Sequence, residues 1–208
     1  MPNYQSFYDR AGNEMTAVEA KDLCLQSYWI QPSQSTVVID GQTLSIESRE
    51  IVGGFAAYRI TKPGGWNALV FRGSDDWRDW VLNNVPGAIL PVPPPQYGSG
   101  RRMARRFQDG TTLVGHSLGG GIASYAAAQQ GMDAVTIFPA PINPAWLAFP
   151  LPPWPAEGTN ILNYVAGGEI LTVAAAASPH LRRYGRDVWV QSDGGGPVDK
   201  HDLTKIRF

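Results

Sequence analysis

The sequence predicts an α/β fold: one domain spanning residues 1–208, a mostly parallel central sheet, and helices on both of its faces. Three observations carry this reading. From about residue 66 onward, strand-like runs alternate with helical patterns: WNALVFRG, SDDWRDWVLNN, RRMARRF, TTLVGH, LGGGIASYAAAQQ, DAVTIFPA, ILNYVAG and DVWVQS. Such alternation supplies the crossover connections that parallel strands require. TTLVGH reads as a buried strand, the kind that a sheet covered on both faces contains. The chain has 208 residues, 43% of them apolar and 17% charged, which suits one core; there is no repeat and no flexible linker that would split off a second domain.

Taken in order, residues 16–30 read as an N-terminal helix. Thr16 is placed as its N-cap, and Glu19 three residues on completes a capping box. STVVID, GGFAAYRIT and WNALVFRG follow as strands, the earlier ones extending the sheet as antiparallel neighbours. Lys62-Pro63-Gly64-Gly65 reads as the hairpin turn between the last two. Pro86–Gly100 and Pro141–Gly158 read as irregular, proline-rich excursions. Both are too apolar for linkers and are expected to pack as ordered loops over one end of the sheet.

Composition excludes several classes of function. A net charge of −1 creates no field that would attract nucleic acid. The single cysteine, Cys24, rules out a disulfide within the chain. It lies among Leu23, Leu25 and Tyr28 in a helical pattern, which predicts a buried thiol. MPNYQSFYDR has no basic segment leading into an apolar one, and no run approaches the ~18 apolar residues of a membrane span. The expectation is a soluble chain without a classical export signal, cytoplasmic or exported by a leaderless route.

The most informative stretch is TTLVGHSLGGGIASYAAA. Gly115-His116-Ser117-Leu118-Gly119 fits G-x-S-x-G, and it stands where a strand gives way to a helix. A nucleophilic serine must project from a sharp strand-to-helix turn. Glycines two residues before and two after relieve the crowding there. Ser117 would then lie at a helix N-terminus, where free N–H groups and the helix dipole favour developing negative charge, with the Leu118 N–H as one donor. The alternative is a serine that merely caps the helix.

GHSLGG after a TTLV strand, with FRGSDDWRDW upstream of it, resembles the class 3 lipases, the fungal-type α/β-hydrolases, and smaller bacterial relatives of that group. The likeness runs from about Ala68 to His201. It implies an α/β-hydrolase fold and ester hydrolysis without a metal or organic cofactor. In that family the strand ending F-R-G-[ST] supplies a second oxyanion donor, here Ser74, which also reads as a helix N-cap. Asp75, Asp76 and Asp79 lack the spacing and the glycine of a calcium loop. Of the three histidines, His201 follows the last strand. The order serine, acid, histidine favours it over His180, while His116 adjoins the serine and must point elsewhere. The acid is expected after ILNYVAG, where the family usually shows aspartate and this chain has Glu169; Asp187 and Asp199 are the alternatives.

Ala88–Pro95 and Pro141–Pro155, the latter with Trp146, Phe149 and Trp154, are expected to line an acyl pocket or meet a lipid surface. The alternative is plain cover for the sheet ends. The region after F-R-G-S is short and proline-rich, which speaks against a mobile lid. Arg101, Arg102, Arg105 and Arg106 form a basic cluster that reads as a solvated face or as an attractor of anionic head groups. The expected function is hydrolysis of lipid-like acyl esters through Ser117, His201 and Glu169, with transient membrane contact. The competing class is an inactive module of the same fold that binds lipid or a protein partner.

Overall fold

The computed structural model describes residues 6–74, 93–108, 110–147, 155–178 and 180–208. A short ribbon pairs β1 (Ser6–Tyr8) with β2 (Glu14–Thr16). Helix α1 (Ala17–Ser27) follows at once. The capping box forms: the Glu19 N–H donates to Thr16 Oγ1 at 3.1 Å, and the Thr16 N–H donates to Glu19 Oε2 at 2.8 Å. Cys24 is buried in this helix, and burial pushes its thiol pKa up.

Among the described residues the main sheet has nine strands, each beside its neighbour in sequence. β3 (Thr36–Ile39), β4 (Gln42–Val52), β5 (Phe55–Thr61) and β6 (Asn67–Phe71) pair antiparallel. β6, β7 (Thr111–His116), β8 (Asp133–Ile137), β9 (Asn160–Ala166) and β10 (Arg186–Ser192) pair parallel. β11 (Ile206–Arg207) returns antiparallel along β10. The Lys62–Trp66 turn closes the β5–β6 hairpin, with the Lys62 N–H donating to the Trp66 carbonyl at 2.9 Å.

Successive strand residues face opposite sides of a sheet, so each buried strand feeds two cores. Val70, Val114, Val135 and Tyr164 join the core under α1. Leu69, Leu113, Ala134 and Ile161 join the core under α2 (Pro95–Ala104) and α3 (Leu118–Gln130). Helix α4 (Ile170–Ala177) stands between β9 and β10. Among the described residues, no helix is long and apolar enough to cross a membrane.

Four details differ from the sequence reading. β4, eleven residues long, was not anticipated, because its polar sequence lies half-exposed between two other strands. α1 ends at Ser27, and the chain turns at Tyr28. α2 begins at Pro95, inside a stretch read as irregular. Its Gly100 brings it close to α3: a Cβ there would lie 2.2 Å from Ile122 Cγ2. α4 was not foreseen at all. Beyond Ser74, the helix expected over SDDWRDWVLNN lies outside the described residues. So do Asp75, Asp76, Asp79, Phe149, Trp154 and most of Ala88–Pro95.

Candidate active site

The parallel strands end together, since Phe71 pairs with Gly115, His116 with Ile137, and Ile137 with Tyr164. Ser74, Ser117, Glu169 and His201 all follow these carboxyl ends, where ligands bind in open α/β sheets. At the end of β7 the chain turns sharply into α3. Ser117 takes φ 57° and ψ −125°, a region that costs a non-glycine residue roughly 1–3 kcal/mol. A Cβ on Gly115 would lie 2.3 Å from the Gly119 carbonyl, and one on Gly119 would lie 2.1 Å from the Phe71 carbonyl oxygen. Only glycine fits at both positions. Ser117 does not cap α3 with its side chain, and its hydroxyl is buried without a hydrogen-bond partner among the described residues. Leu118 opens the helix, so its N–H has no intrahelical acceptor.

Glu169 and His201 are both fully buried, and Glu169 Oε1 lies 2.5 Å from His201 Nδ1. Glu169 is also the N-cap of α4. The Leu171 N–H donates to Oε1 at 2.8 Å, and the Thr172 N–H and hydroxyl both donate to Oε2 at 2.9 Å. With Nδ1–H of His201, four donors converge on one carboxylate, which is about its full capacity. The other acids considered are engaged elsewhere. Asp187 accepts from Asn163 at 3.0 Å and pairs with Arg183 at 3.0 Å. Asp199 accepts from the Gly195 N–H at 2.9 Å. His180 is exposed.

Trp146 is only 3% exposed. Its ring meets Tyr97 edge-on at 5.0 Å, and its carbonyl accepts from the Tyr125 hydroxyl at 3.4 Å. It is therefore a core residue of the α2–α3 face and not part of an exposed apolar surface. The arginine cluster sits at the far end of the sheet: Arg105 and Arg106 just precede the start of β7, and Arg106 pairs with Glu50 at 3.1 Å. β7 spans six residues, or about 20 Å at the usual strand rise, so the cluster is remote from Ser117.

Sequence reasoning missed Tyr28 and Phe138 as neighbours of the site, and had His116 only as pointing away from Ser117. The Tyr28 hydroxyl lies 2.9 Å from His116 Nδ1, and His116 Nε2 lies 3.1 Å from the His201 carbonyl oxygen. The buried Phe138, itself at φ 45°, packs its ring 5.8 Å from that of His201. No local pattern signals these contacts, and the helix read over residues 16–30 hides the turn at Tyr28. A cavity of about 510 Å³ opens beside these groups, walled by Leu25, Tyr28, Trp29, His116 and Leu203. Trp29 stands at its rim, 73% exposed.

The family profile described as "Phospholipase-like: Tle-like phospholipase domain" matches residues 53–188. The chain belongs to this family. Extracellular phospholipase A1 of Serratia liquefaciens is 40% identical over 79 residues, 36% of this chain and 24% of that protein. The chain thus matches about a quarter of the length of that curated relative. Among solved structures, a triacylglycerol lipase described as having a serine protease triad at its catalytic centre matches with a TM-score of 0.62. It shares 18% identity, with 85% of this chain and 79% of the other covered. Rhizomucor miehei triacylglyceride lipase matches with a TM-score of 0.58 at 16% identity, covering 82% and 77%. Lipase II from Rhizopus niveus matches with 0.53 at 16%, covering 79% and 72%. The fold of this Tle-like domain is that of the α/β-hydrolase lipases.

Burial holds the His116 imidazole well below its usual range, and the neighbouring His201 adds to the effect. Unfolded, the ring titrates near its ordinary value of about 6.5. Below that pH the unfolded Tle-like domain binds a proton that the folded one does not, so stability falls as pH falls. The contribution approaches about 1.4 kcal/mol per pH unit. Urea unfolding of His116→Gln from neutral pH downward should show a decline shallower by up to one proton's slope. Parallel decline in variant and wild type would show that the ring is not held neutral.

Proposed function

We propose that this Tle-like domain hydrolyses carboxylic esters of phospholipid-like substrates through an acyl-enzyme intermediate. Ser117 Oγ attacks the ester carbonyl, and His201 Nε2 takes its proton. His201 then returns that proton to the leaving alcohol, and a water activated in the same way releases the acid. Glu169 fixes the His201 tautomer through Nδ1–H and stabilises the imidazolium. The Leu118 N–H and Ser74 hold the oxyanion. The observation that carries this reading is the strained, uncapped Ser117 at the same sheet edge as a buried Glu169–His201 pair. The family profile and the partial likeness to a phospholipase A1 favour a phospholipid ester over a water-soluble one. Trp29 and its cavity adjoin Tyr28 and His116 at that edge, and we assign the lipid-surface contact to them in place of Trp146 and the arginine cluster.

A fluorophosphonate probe should label the wild type and not Ser117→Ala, and the variant's turnover should fall on the order of 10⁴-fold. Labelling of Ser117→Ala, or turnover above a tenth of wild type, would remove Ser117 from the mechanism.

Glu169→Gln keeps the shape and removes the charge, so kcat should fall on the order of 10²-fold. Glu169→Asp separates two functions. Aspartate is a good N-cap, so α4 should persist, but the arm is shorter by one bond of about 1.5 Å and loses His201. The expected result is near-native thermal stability with activity as low as in Glu169→Gln. Full activity in either variant would take Glu169 out of the triad.

Trp29→Ala should lower hydrolysis of phosphatidylcholine vesicles about tenfold while sparing a short nitrophenyl ester, since interfacial tryptophans anchor at the headgroup level. Equal loss on both substrates would mean that Trp29 serves the fold alone.

A further inference from the structure

His116 has both ring nitrogens engaged, and the two bonds fix its protonation. The His201 carbonyl, 3.1 Å from Nε2, can only accept, so Nε2 carries the hydrogen. In the neutral ring Nδ1 is then an acceptor, and the Tyr28 hydroxyl 2.9 Å away donates to it. A directed chain therefore runs from Tyr28 through His116 to the backbone of His201. Tyr28 is the C-cap of α1, so the chain starts on a regular element. It also passes under the F-R-G-S segment: a Cβ on Gly73 would lie 2.1 Å from the Tyr28 hydroxyl and 2.9 Å from the His116 carbonyl. The glycine of that segment leaves the space that the tyrosine fills.

We propose that His116, backed by Tyr28, is a positioning residue for the base. It fixes the carbonyl of His201, and with it the turn from which that ring projects, relative to Ser117 one residue further along the chain. The inference rests on the triad reading above. His201 lies on a short 3₁₀ turn, Asp199–His201, outside the sheet. Glu169 restrains only the ring, through Nδ1. That ring still moves with its backbone, and the turn's own bonds, from the His201 N–H to Val198 and from Ser192 Oγ to the Lys200 carbonyl, tie it to β10 and not to the turn at Ser117. The His116 bond supplies that tie, because base and nucleophile are then joined through a single hydrogen bond and one peptide link. Misplacement by about 1 Å can cost on the order of 10²-fold in rate, which sets the scale of the effect.

His116→Phe keeps the ring volume and removes both bonds. Per active site titrated with fluorophosphonate, kcat should fall about 10- to 100-fold with KM within about threefold of wild type. Tyr28→Phe should lower kcat about threefold or more, and the double variant should be no worse than His116→Phe alone, because both changes cut the same chain. His116→Gln, which returns an amide N–H near the position of Nε2, should recover most of the loss. A His116→Phe enzyme within twofold of wild-type kcat would overturn the proposal. So would Tyr28→Phe and His116→Phe losses that multiply, or a His116→Gln enzyme as slow as His116→Phe. If His116→Phe fails to fold, Tyr28→Phe alone and combined with His116→Gln decide the matter: losses that multiply overturn the chain, and non-additive losses support it. Wild-type turnover that disappears in Ser117→Ala tests the triad reading separately. A wild type inert toward esters and probe defeats that reading and this inference together, whereas an active wild type with an indifferent His116 defeats this one alone.

Discussion

The peptide groups of Ser117 are held on three sides, and the rest of the edge is arranged around that. Its N–H donates to the Ile137 carbonyl at 3.2 Å, and its carbonyl accepts from Gly121 at 3.0 Å and from Ala140 at 2.9 Å. These bonds tie one strained residue to β8, to α3 and to the loop after β8. A φ of 57° persists in a serine only when its surroundings over-determine it. The near contact of Gly119 with the Phe71 carbonyl draws β6 in as well. The start of α3 is thus wedged against the ends of three strands, and the helix behind it, buried from Leu118 to Ala128, cannot slide. The strain at Ser117 is small beside the burial that would be lost if the turn relaxed.

Glu169 shows why a longer acid suits this edge. A carboxylate buried with an imidazole must have its remaining acceptor sites filled, or the pair costs more in desolvation than it returns. Here α4 begins at the acid, so the first turn of the helix supplies three donors that need no other side chain than Thr172. The extra methylene lets one carboxyl group cap its own helix and still reach His201. An aspartate at the same backbone position would have to choose. If Glu169 is the acid of the proposed triad, its departure from the aspartate of the resembling lipases is coupled to the local helix start, and α4 serves the proposed site as well as the fold.

What the sequence made legible, and what it hid, follows the range of the interactions involved. The capping box of α1, the hairpin at Lys62–Trp66 and the elbow at Ser117 are set by residues within a few positions of one another, and each could be read. The parallel core was legible because its strands are apolar on both faces. β4 was not, since only Leu44 of its eleven residues is buried and the strand carries no sustained apolar alternation. α2 was obscured by Pro95, Gly98 and Gly100, although a proline in the first turn and a glycine at a helix contact both have positional reasons. Trp146 reads from sequence as pocket lining or lipid contact because it lies in a proline-rich apolar stretch, but it packs on Tyr97 and Tyr125, contacts distant in the chain. The bond between Tyr28 and His116 joins positions 88 residues apart, and no local pattern announces such a contact.

The two imidazoles at this edge have ring centroids 4.7 Å apart, close enough that a charge on one opposes a charge on the other. Their surroundings treat them differently. His116 gives its one hydrogen to a carbonyl and receives another from a tyrosine hydroxyl, so a second proton on its ring would displace a donor from a buried position. His201 faces a carboxylate across 2.5 Å, and a positive charge there is met directly. Transfer of a proton from Ser117, in the mechanism proposed above, requires one ring to become an imidazolium while its neighbour stays neutral. The hydrogen bonds set His116 apart as the ring whose two nitrogens are already committed, and leave the carboxylate to His201. In that mechanism the ring beside Ser117 in sequence serves as a neutral support, and the ring brought in by the C-terminal turn receives the proton.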